Sequence, residues 1–199
     1  MYTSGDEAEL FVNGRSQGRR RKLADLPDYP LEHDTFWNDA HGDFRTNGYY
    51  RICDKYRLRW FDVPWEPGEL KAVAYRGGKP VGTNVVLTAG RPDRVRLTAD
   101  PYADPADGLA FVQVEAVDVR GVRDPWSNAR IAFSVSGPGE LVAVGNADPR
   151  GFDSFGGETH PLYYGRALAV VRRRPGTRAP VVLEARAEGL RTGVLGLGL

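Results

Sequence analysis

Within eleven residues, His33-Asp34-Thr35-Phe36-Trp37-Asn38-Asp39-Ala40-His41-Gly42-Asp43, the chain gathers two histidines and three aspartates, all side chains that bind divalent metals. A tetrahedral site also needs a defined spacing such as paired CxxC or HExxH, and neither occurs here. The segment therefore reads as a polar loop whose Asp and Asn residues make turns, with no metal and no other cofactor expected. Nucleophilic hydrolysis is no better encoded: Ser154 in Gly151-Phe152-Asp153-Ser154-Phe155-Gly156-Gly157 misses the G-x-S-x-G elbow by one residue. Gly137-Pro138-Gly139 does not continue into a phosphate-binding fingerprint, and Pro138 lacks a backbone N–H that such a cradle requires. Carboxyl pairs of the kind that cleave glycosidic bonds stand about 5 to 10 Å apart across the scissile bond. The 26 Asp and Glu residues could always supply a pair. However, the chain has no alternating strand and helix pattern from which to build a barrel that would hold one, so no catalytic residue is assigned.

The aromatic residues offer contact rather than catalysis. A tryptophan face can stack on the C–H side of a pyranose ring, and the same side chain can equally fill a core or an interface. Phe36, Trp37, Asn38, Trp65 and Trp126 are the candidates for sugar or interdomain contact. Trp37, flanked by Phe36 and Asn38 in a loop, reads as a surface aromatic. Trp65 and Trp126 each follow a proline and could mark a domain interface, whereas Trp60 lies inside a strand pattern and is expected to be buried.

The elements that must position these residues are strands. Glu7 to Val12 sets Ala8, Leu10 and Val12 on one side and Glu7, Glu9 and Phe11 on the other, the period of a half-buried strand. Asn13-Gly14 supplies the positive backbone dihedrals of a tight hairpin turn into Arg15 to Lys22. Tyr56 to Phe61 and Glu69 to Tyr75 read as further strands, and Gly77-Gly78 turns the chain into Pro80 to Thr88. Ala89-Gly90-Arg91-Pro92-Asp93 interrupts two patterned segments and is the boundary candidate, giving domains 1–90 and 92–199. Beyond it, Arg94 to Ala99, Ala110 to Val119, Arg130 to Val135, Glu140 to Val144, Arg166 to Arg172, Val181 to Ala187 and Arg191 to Leu197 make about seven strands, the count of an immunoglobulin-like sandwich. The inward set is Val112, Val114, Ala116, Ile131, Phe133, Val135, Leu183 and Ala185. Near the end, the alternating Gly and Leu read as a last strand, with Val194 and Leu195 pairing where glycine lets another backbone approach. The predicted class is all-β, two consecutive immunoglobulin-like or antiparallel β-sandwich domains.

Composition agrees with that class. The 199 residues include 24 Gly and 14 Pro, which suits short strands joined by turns. A net charge of +1 gives no long-range field for nucleic acid or an anionic membrane. The dense basic runs, Arg19-Arg20-Arg21-Lys22 and Arg172-Arg173-Arg174, adjoin strand ends and read as solvated charge that discourages edge pairing. No nucleic-acid or membrane partner is expected. Cys53 is the sole cysteine, so no intrachain disulfide forms. No apolar stretch approaches the ~20 residues that span a bilayer, and Met1-Tyr2-Thr3-Ser4-Gly5-Asp6-Glu7 is not a signal peptide, which leaves the compartment open.

Asp6-Glu7-Ala8-Glu9-Leu10-Phe11-Val12-Asn13-Gly14 and Pro67-Gly68-Glu69-Leu70-Lys71-Ala72-Val73-Ala74-Tyr75 resemble the small sandwich that follows the catalytic barrel in glycoside hydrolase family 2 enzymes of the β-galactosidase type. Arg94-Val95-Arg96-Leu97-Thr98-Ala99-Asp100, Phe133-Ser134-Val135-Ser136-Gly137-Pro138-Gly139 and Val144-Gly145-Asn146-Ala147-Asp148-Pro149 resemble the terminal immunoglobulin-like domain of the same enzymes. The resemblance covers nearly the whole chain, in domain order. It implies a non-catalytic accessory region of an enzyme whose retaining, two-carboxylate chemistry resides in an upstream barrel, so the chain is not expected to be an enzyme by itself. The implied partner is that barrel, in the same chain or as a split gene product, with carbohydrate and a second copy as further candidates. Met1 stands where family sequences run in continuously from the barrel, and residues 28–56 are longer than the usual connection. That long aromatic-containing loop is expected to cover a neighbour, the barrel near its active-site rim, with Phe36 and Trp37 as anchors. The rival readings are an independent carbohydrate-binding module and an adhesion-type immunoglobulin-like repeat. An exposed planar aromatic row would favour the binder, and a broad apolar patch near Met1 would favour a broken domain interface.

Overall fold

The computed structural model describes residues 1–22, 57–61, 63–102 and 108–198, and among these described residues the regular structure is twelve strands with no helix. The chain divides into two units, Met1–Thr88 and Ala89–Leu199.

In the first unit β1 (Glu7–Val12), β2 (Arg15–Arg21), β3 (Glu69–Arg76) and β4 (Lys79–Leu87) form an antiparallel sheet in the order β2-β1-β3-β4. Asn13 and Gly14 have φ of 49° and 78°, and Gly77 and Gly78 have 55° and 80°, so both hairpins turn through the two-residue geometry their sequences encode. Register sets Ala8, Leu10 and Val12 against Ala74, Ala72 and Leu70 on one face. Ala8, Val12 and Ala74 are buried there together with Leu58. Among the described residues β2 is an edge strand, kinked where Gly18 adopts a φ of 92°. Its arginines rest on their neighbours: Arg19 and Arg21 reach Glu7 at 2.7 and 2.8 Å, and the Arg19 guanidinium lies 3.6 Å from the centre of the Tyr75 ring.

One expected strand is absent from this unit. Arg57 makes an isolated bridge to Tyr2, and residues 58–61 carry no ladder, so the reading of Tyr56 to Phe61 as a strand is corrected; Tyr56 itself lies outside the described residues. Met1 and Leu58 exchange backbone hydrogen bonds of 2.8 and 2.9 Å beside that bridge. The correction extends to Trp60, which is half-buried and donates from Nε1 to Gly18 O at 2.9 Å, while Leu58 takes the buried position.

The second unit is a sandwich of two four-stranded antiparallel sheets. One is β5-β6-β10-β8, built from β5 (Arg94–Ala99), β6 (Leu109–Val117), β8 (Gly139–Gly145) and β10 (Arg166–Arg173). The other is β12-β11-β7-β9, built from β7 (Arg130–Ser136), β9 (Thr159–Pro161), β11 (Val181–Arg186) and β12 (Gly193–Leu197). With β9 set aside, the connectivity is the ABED and CFG arrangement of a constant-type immunoglobulin sandwich. The three-residue β9 extends the CFG edge and was missed because so short a segment has no readable period. Seven members of the expected inward set are buried, and Val135 packs partly buried against them. Val95, Val144, Leu162, Val171, Val181 and Leu197 are the other large members of the core, with Ala110, Ala167 and Ala169 between them. Each such side chain contributes about 1.5–3 kcal/mol when fully buried.

Two contacts close this unit. Asp118, at the end of β6, is 1% exposed and accepts the N–H groups of Gly90, Arg120 and Val122 at 2.8–2.9 Å. At the sandwich margin Val95 N–H donates to Arg191 O at 2.9 Å, Arg191 N–H donates to Asp93 O at 2.9 Å, and the Arg191 guanidinium pairs with the Asp93 carboxylate. Gly193 is required beside this clasp, since a β-carbon there would stand 2.7 Å from Val95 O. The second basic run is likewise occupied: Arg172 meets Glu140 at 3.2 Å, and Arg173 donates to Ala179 O at 2.7 Å.

Candidate functional site

Strand alternation turns Val112, Val114 and Ala116 of β6 into the core and leaves Gln113 and Glu115 on the outer face of the sheet. Register then sets Glu115 directly opposite Arg96 on β5 and Arg166 on β10. The result is a guanidinium–carboxylate–guanidinium row across three strands. Arg96 Nε donates to Glu115 Oε2 at 3.0 Å with a second bond from Nη2, Arg166 Nε donates to Oε1 at 2.8 Å, and Arg123 Nε stands 3.9 Å away. Glu115 is 2% exposed. Burial pushes its carboxyl up, but hydrogen bonds from Arg96, Arg166 and Gln113 outweigh that, and the net shift is below the usual glutamate value.

Beside this row the chain turns from β9 into β10 through Tyr164-Gly165. Tyr163 and Arg166 exchange backbone hydrogen bonds of 2.8 and 3.0 Å, and the two turn residues have φ of 49° and 71°, a two-residue hairpin with both centres left-handed. Asn, Asp or Gly fits the first centre at low cost, whereas a bulky side chain there is an outlier that costs about 1–2 kcal/mol. Gly165 has no alternative, because a β-carbon would meet Asp124 O at 2.0 Å. The preceding loop is sewn onto this turn: Gly165 N–H donates to Ser127 O at 3.0 Å, and Arg123 Nη1 donates to Tyr164 O.

These elements enclose a groove of about 630 Å³ on the outer face of the sheet, within the range of small-molecule sites. Tyr163, Tyr164 and Leu168 form its apolar wall, and Gln113, Asn146, Arg123 and Arg166 bring polar groups to it. The tyrosine rings meet edge to face, 4.6 Å apart and inclined at 69°, and Tyr164 is 58% exposed. Asn146 is committed to the fold, donating to Pro161 O and accepting from Asp148 N–H, both at 2.9 Å. Arg166 uses only Nε on the protein among the described residues, and its two terminal nitrogens have no protein acceptor there. In the first unit a second recess, about 650 Å³, lies between residues 58–61 and the sheet face carrying Leu10, Leu70, Ala72 and Val86.

The remaining buried polar groups do structural work. Asp118 is held at about 2, below its ordinary 3.8, first by the Gly90 N–H and further by Val122 and Arg120 against the opposing effect of burial. His160 is buried, stacks on Phe155 at 5.9 Å and points Nδ1 at Pro161 O at 3.1 Å. Ser154 accepts the Gly156 N–H at 3.2 Å, a turn contact. Among the described residues no group of three or more His, Cys, Asp and Glu is arranged to hold a metal ion.

Of the contact candidates read from sequence, Phe36, Trp37 and Asn38 lie outside the described residues, as do the His33 to Asp43 cluster and Cys53. Trp65 and Trp126 are 79% and 85% exposed and belong to different units. Trp126 sits in the loop that is stitched to the Tyr164-Gly165 turn through Ser127. Sequence reasoning missed Tyr163, Tyr164, Arg123 and Arg166. A signal did exist in Tyr164-Gly165, an aromatic–glycine pair between two apolar alternations, but tyrosine is not a turn-former by type.

Comparison with known families places the chain. Residues 91–195 match the family described as glycoside hydrolase family 2 C-terminal domain 5. The chain belongs to glycoside hydrolase family 2. Residues 1–82 match a domain of unknown function, DUF4982. Over 196 residues the chain is 35% identical to a β-galactosidase of Bacteroides ovatus, covering 98% of this chain and 19% of that protein. It is 26% identical over 189 residues to a putative β-glucuronidase of Formosa agariphila, covering 93% of this chain and 16% of the relative. A crystal structure of a glycosyl hydrolase family 2 member from Bacteroides cellulosilyticus superposes with a TM-score of 0.76 at 29% identity, over 98% of this chain and 23% of that one. The chain thus spans about a fifth of the length of the relatives it matches and corresponds to their C-terminal region.

Proposed function

We propose that the chain is a non-catalytic accessory region of a β-galactosidase-like glycoside hydrolase, supporting a catalytic barrel by packing, by shaping the rim of its site or by assembling oligomers. The observation that carries this reading is the match of nearly the whole chain to about a fifth of a family 2 β-galactosidase, in the region that the family places at the C-terminus. The described carboxylates support it chemically. A retaining glycosidase needs one carboxyl as nucleophile and one as acid, both facing the substrate. Glu115 and Asp118, the two deeply buried acids among the described residues, are instead committed to arginines and backbone N–H groups. The purified chain is expected not to hydrolyse aryl β-galactosides. Turnover that stays with this polypeptide and disappears on changing one of its own acids, with folding intact by circular dichroism, would overturn the proposal.

The rival reading as a carbohydrate-binding module draws support from the tyrosine-walled groove of the second unit. The two are compatible if the accessory region also holds saccharide.

A further inference from the structure

The groove of the second unit combines three features that are independent of one another. Its lining carries two guanidiniums, Arg123 and Arg166, and no carboxylate. The one acid beneath them, Glu115, is sealed from solvent and shared among Arg96, Arg123 and Arg166, so one negative charge answers three positive ones. Second, Arg166 leaves both terminal nitrogens of its fork without a protein acceptor among the described residues, and this planar pair matches the two oxygens of a carboxylate. Third, Tyr164 keeps a left-handed φ of 49° and stays 58% exposed at a turn position that Asn or Gly would fill at lower cost. A strained, exposed aromatic beside an unanswered guanidinium fork describes a ligand with an apolar ring face and a carboxylate on the same ring.

From this we infer that the groove binds a uronic acid residue of an acidic oligosaccharide, with its pyranose C–H face on Tyr164 and its carboxylate on the Nη pair of Arg166. Tyr163 holds the Tyr164 ring edge to face, and Arg123 anchors the turn through Tyr164 O. The charge complementarity decides against a neutral saccharide, whose hydroxyls would leave the guanidinium fork unmatched. The choice of a sugar over another carboxylated ring rests on the accessory-region reading above; the recognition of ring plus carboxylate does not.

The test is titration of the full chain, followed by amide chemical shifts and calorimetry, with methyl β-glucuronide, methyl β-glucoside, acetate and benzoate as probes. Methyl β-glucuronide should move the amides of Tyr163 to Arg166 and bind about tenfold or more tighter than methyl β-glucoside, the fold-change of one charge-assisted contact. Acetate should produce no saturable shift there. Affinity should fall as salt is raised. Tyr164→Asn, which suits the turn, should keep the fold and weaken binding of both glycosides, and Arg166→Gln should equalise glucuronide and glucoside. Equal binding of the two glycosides, or unchanged glucuronide binding by Tyr164→Asn, overturns the inference. Benzoate binding at these amides with glucuronide silent overturns the choice of sugar and counts against the accessory reading, while leaving the groove's ring-and-carboxylate chemistry standing. Glucuronide binding with turnover by the chain would instead keep the site and refute the non-catalytic reading.

Discussion

Glu115→Gln tests the arginine row directly. Removing one partner of a buried ion pair costs about 3–5 kcal/mol when the remaining charge stays in the interior. Here the arginines are 39% (Arg96), 30% (Arg123) and 53% (Arg166) exposed and can turn to water, which brings the expected loss to about 2 kcal/mol. For a unit of this size that corresponds to a fall in Tm of roughly 8–12 °C. The sign of the pH dependence is fixed by the direction of the shift. Because the native Glu115 carboxyl titrates below its ordinary value of 4.5, its contribution is fully present above that value and is lost as pH falls through the native pKa. Thermal unfolding of the full chain by circular dichroism should therefore separate wild type from variant at about pH 7 and bring them together at a pH below the native Glu115 pKa. A shift below about 2 °C at neutral pH would show that desolvation cancels the row's attraction. An equal shift at both pH values would assign the effect to packing rather than charge.

Asp118→Asn should release the Gly90 N–H, because an amide NH2 replaces the Oδ2 that accepts it while the remaining oxygen still accepts from Arg120 and Val122, and hydrogen exchange at Gly90 should accelerate while amides of the β6–β10 ladder stay protected. The acid limb of stability should also flatten between the ordinary aspartate value of 3.8 and about 2, because wild type loses this contribution as pH falls through that window. Gly165→Ala places a β-carbon 2.0 Å from Asp124 O at a φ of 71° and should destabilise severely, whereas Gly189→Asn, at a similar φ with open space around it, should change stability by less than about 1 kcal/mol in urea unfolding.

Strands such as β1, β6 and β7 were legible because a two-residue alternation runs through them. Glu7 to Val12 and Arg94 to Ala99 were located to the residue, and Asn13-Gly14 turns as its type requires. Tyr56 to Phe61 has the same alternation, yet residues 58–61 carry no ladder, since a period shows which side chains would share a face and not that a ladder forms. The candidate groove was hardest to read. Arg96, Glu115 and Arg166 are 19 and 51 residues apart and meet only through cross-strand register. The tryptophans attracted attention by type, while the exposed face that lines a cavity belongs to Tyr164, placed by a turn that its own residue type disfavours.

The clasp between Asp93 and Arg191 ties together positions 98 residues apart, joining the first strand of the second unit to its last. Closing a loop of that length costs on the order of 4 kcal/mol of chain entropy, and the contacts that offset it do not exist until β12 is in place. During synthesis, therefore, the ribosome must release the final strand before this sandwich can shut, and every earlier length of nascent chain carries β5 with the margin that Arg191 will cover still open to solvent. The unit's assembly is gated by the end of its own translation, so slowing elongation upstream of β12 lengthens exposure to chaperones and proteases, whereas slowing it after Leu197 has emerged does not.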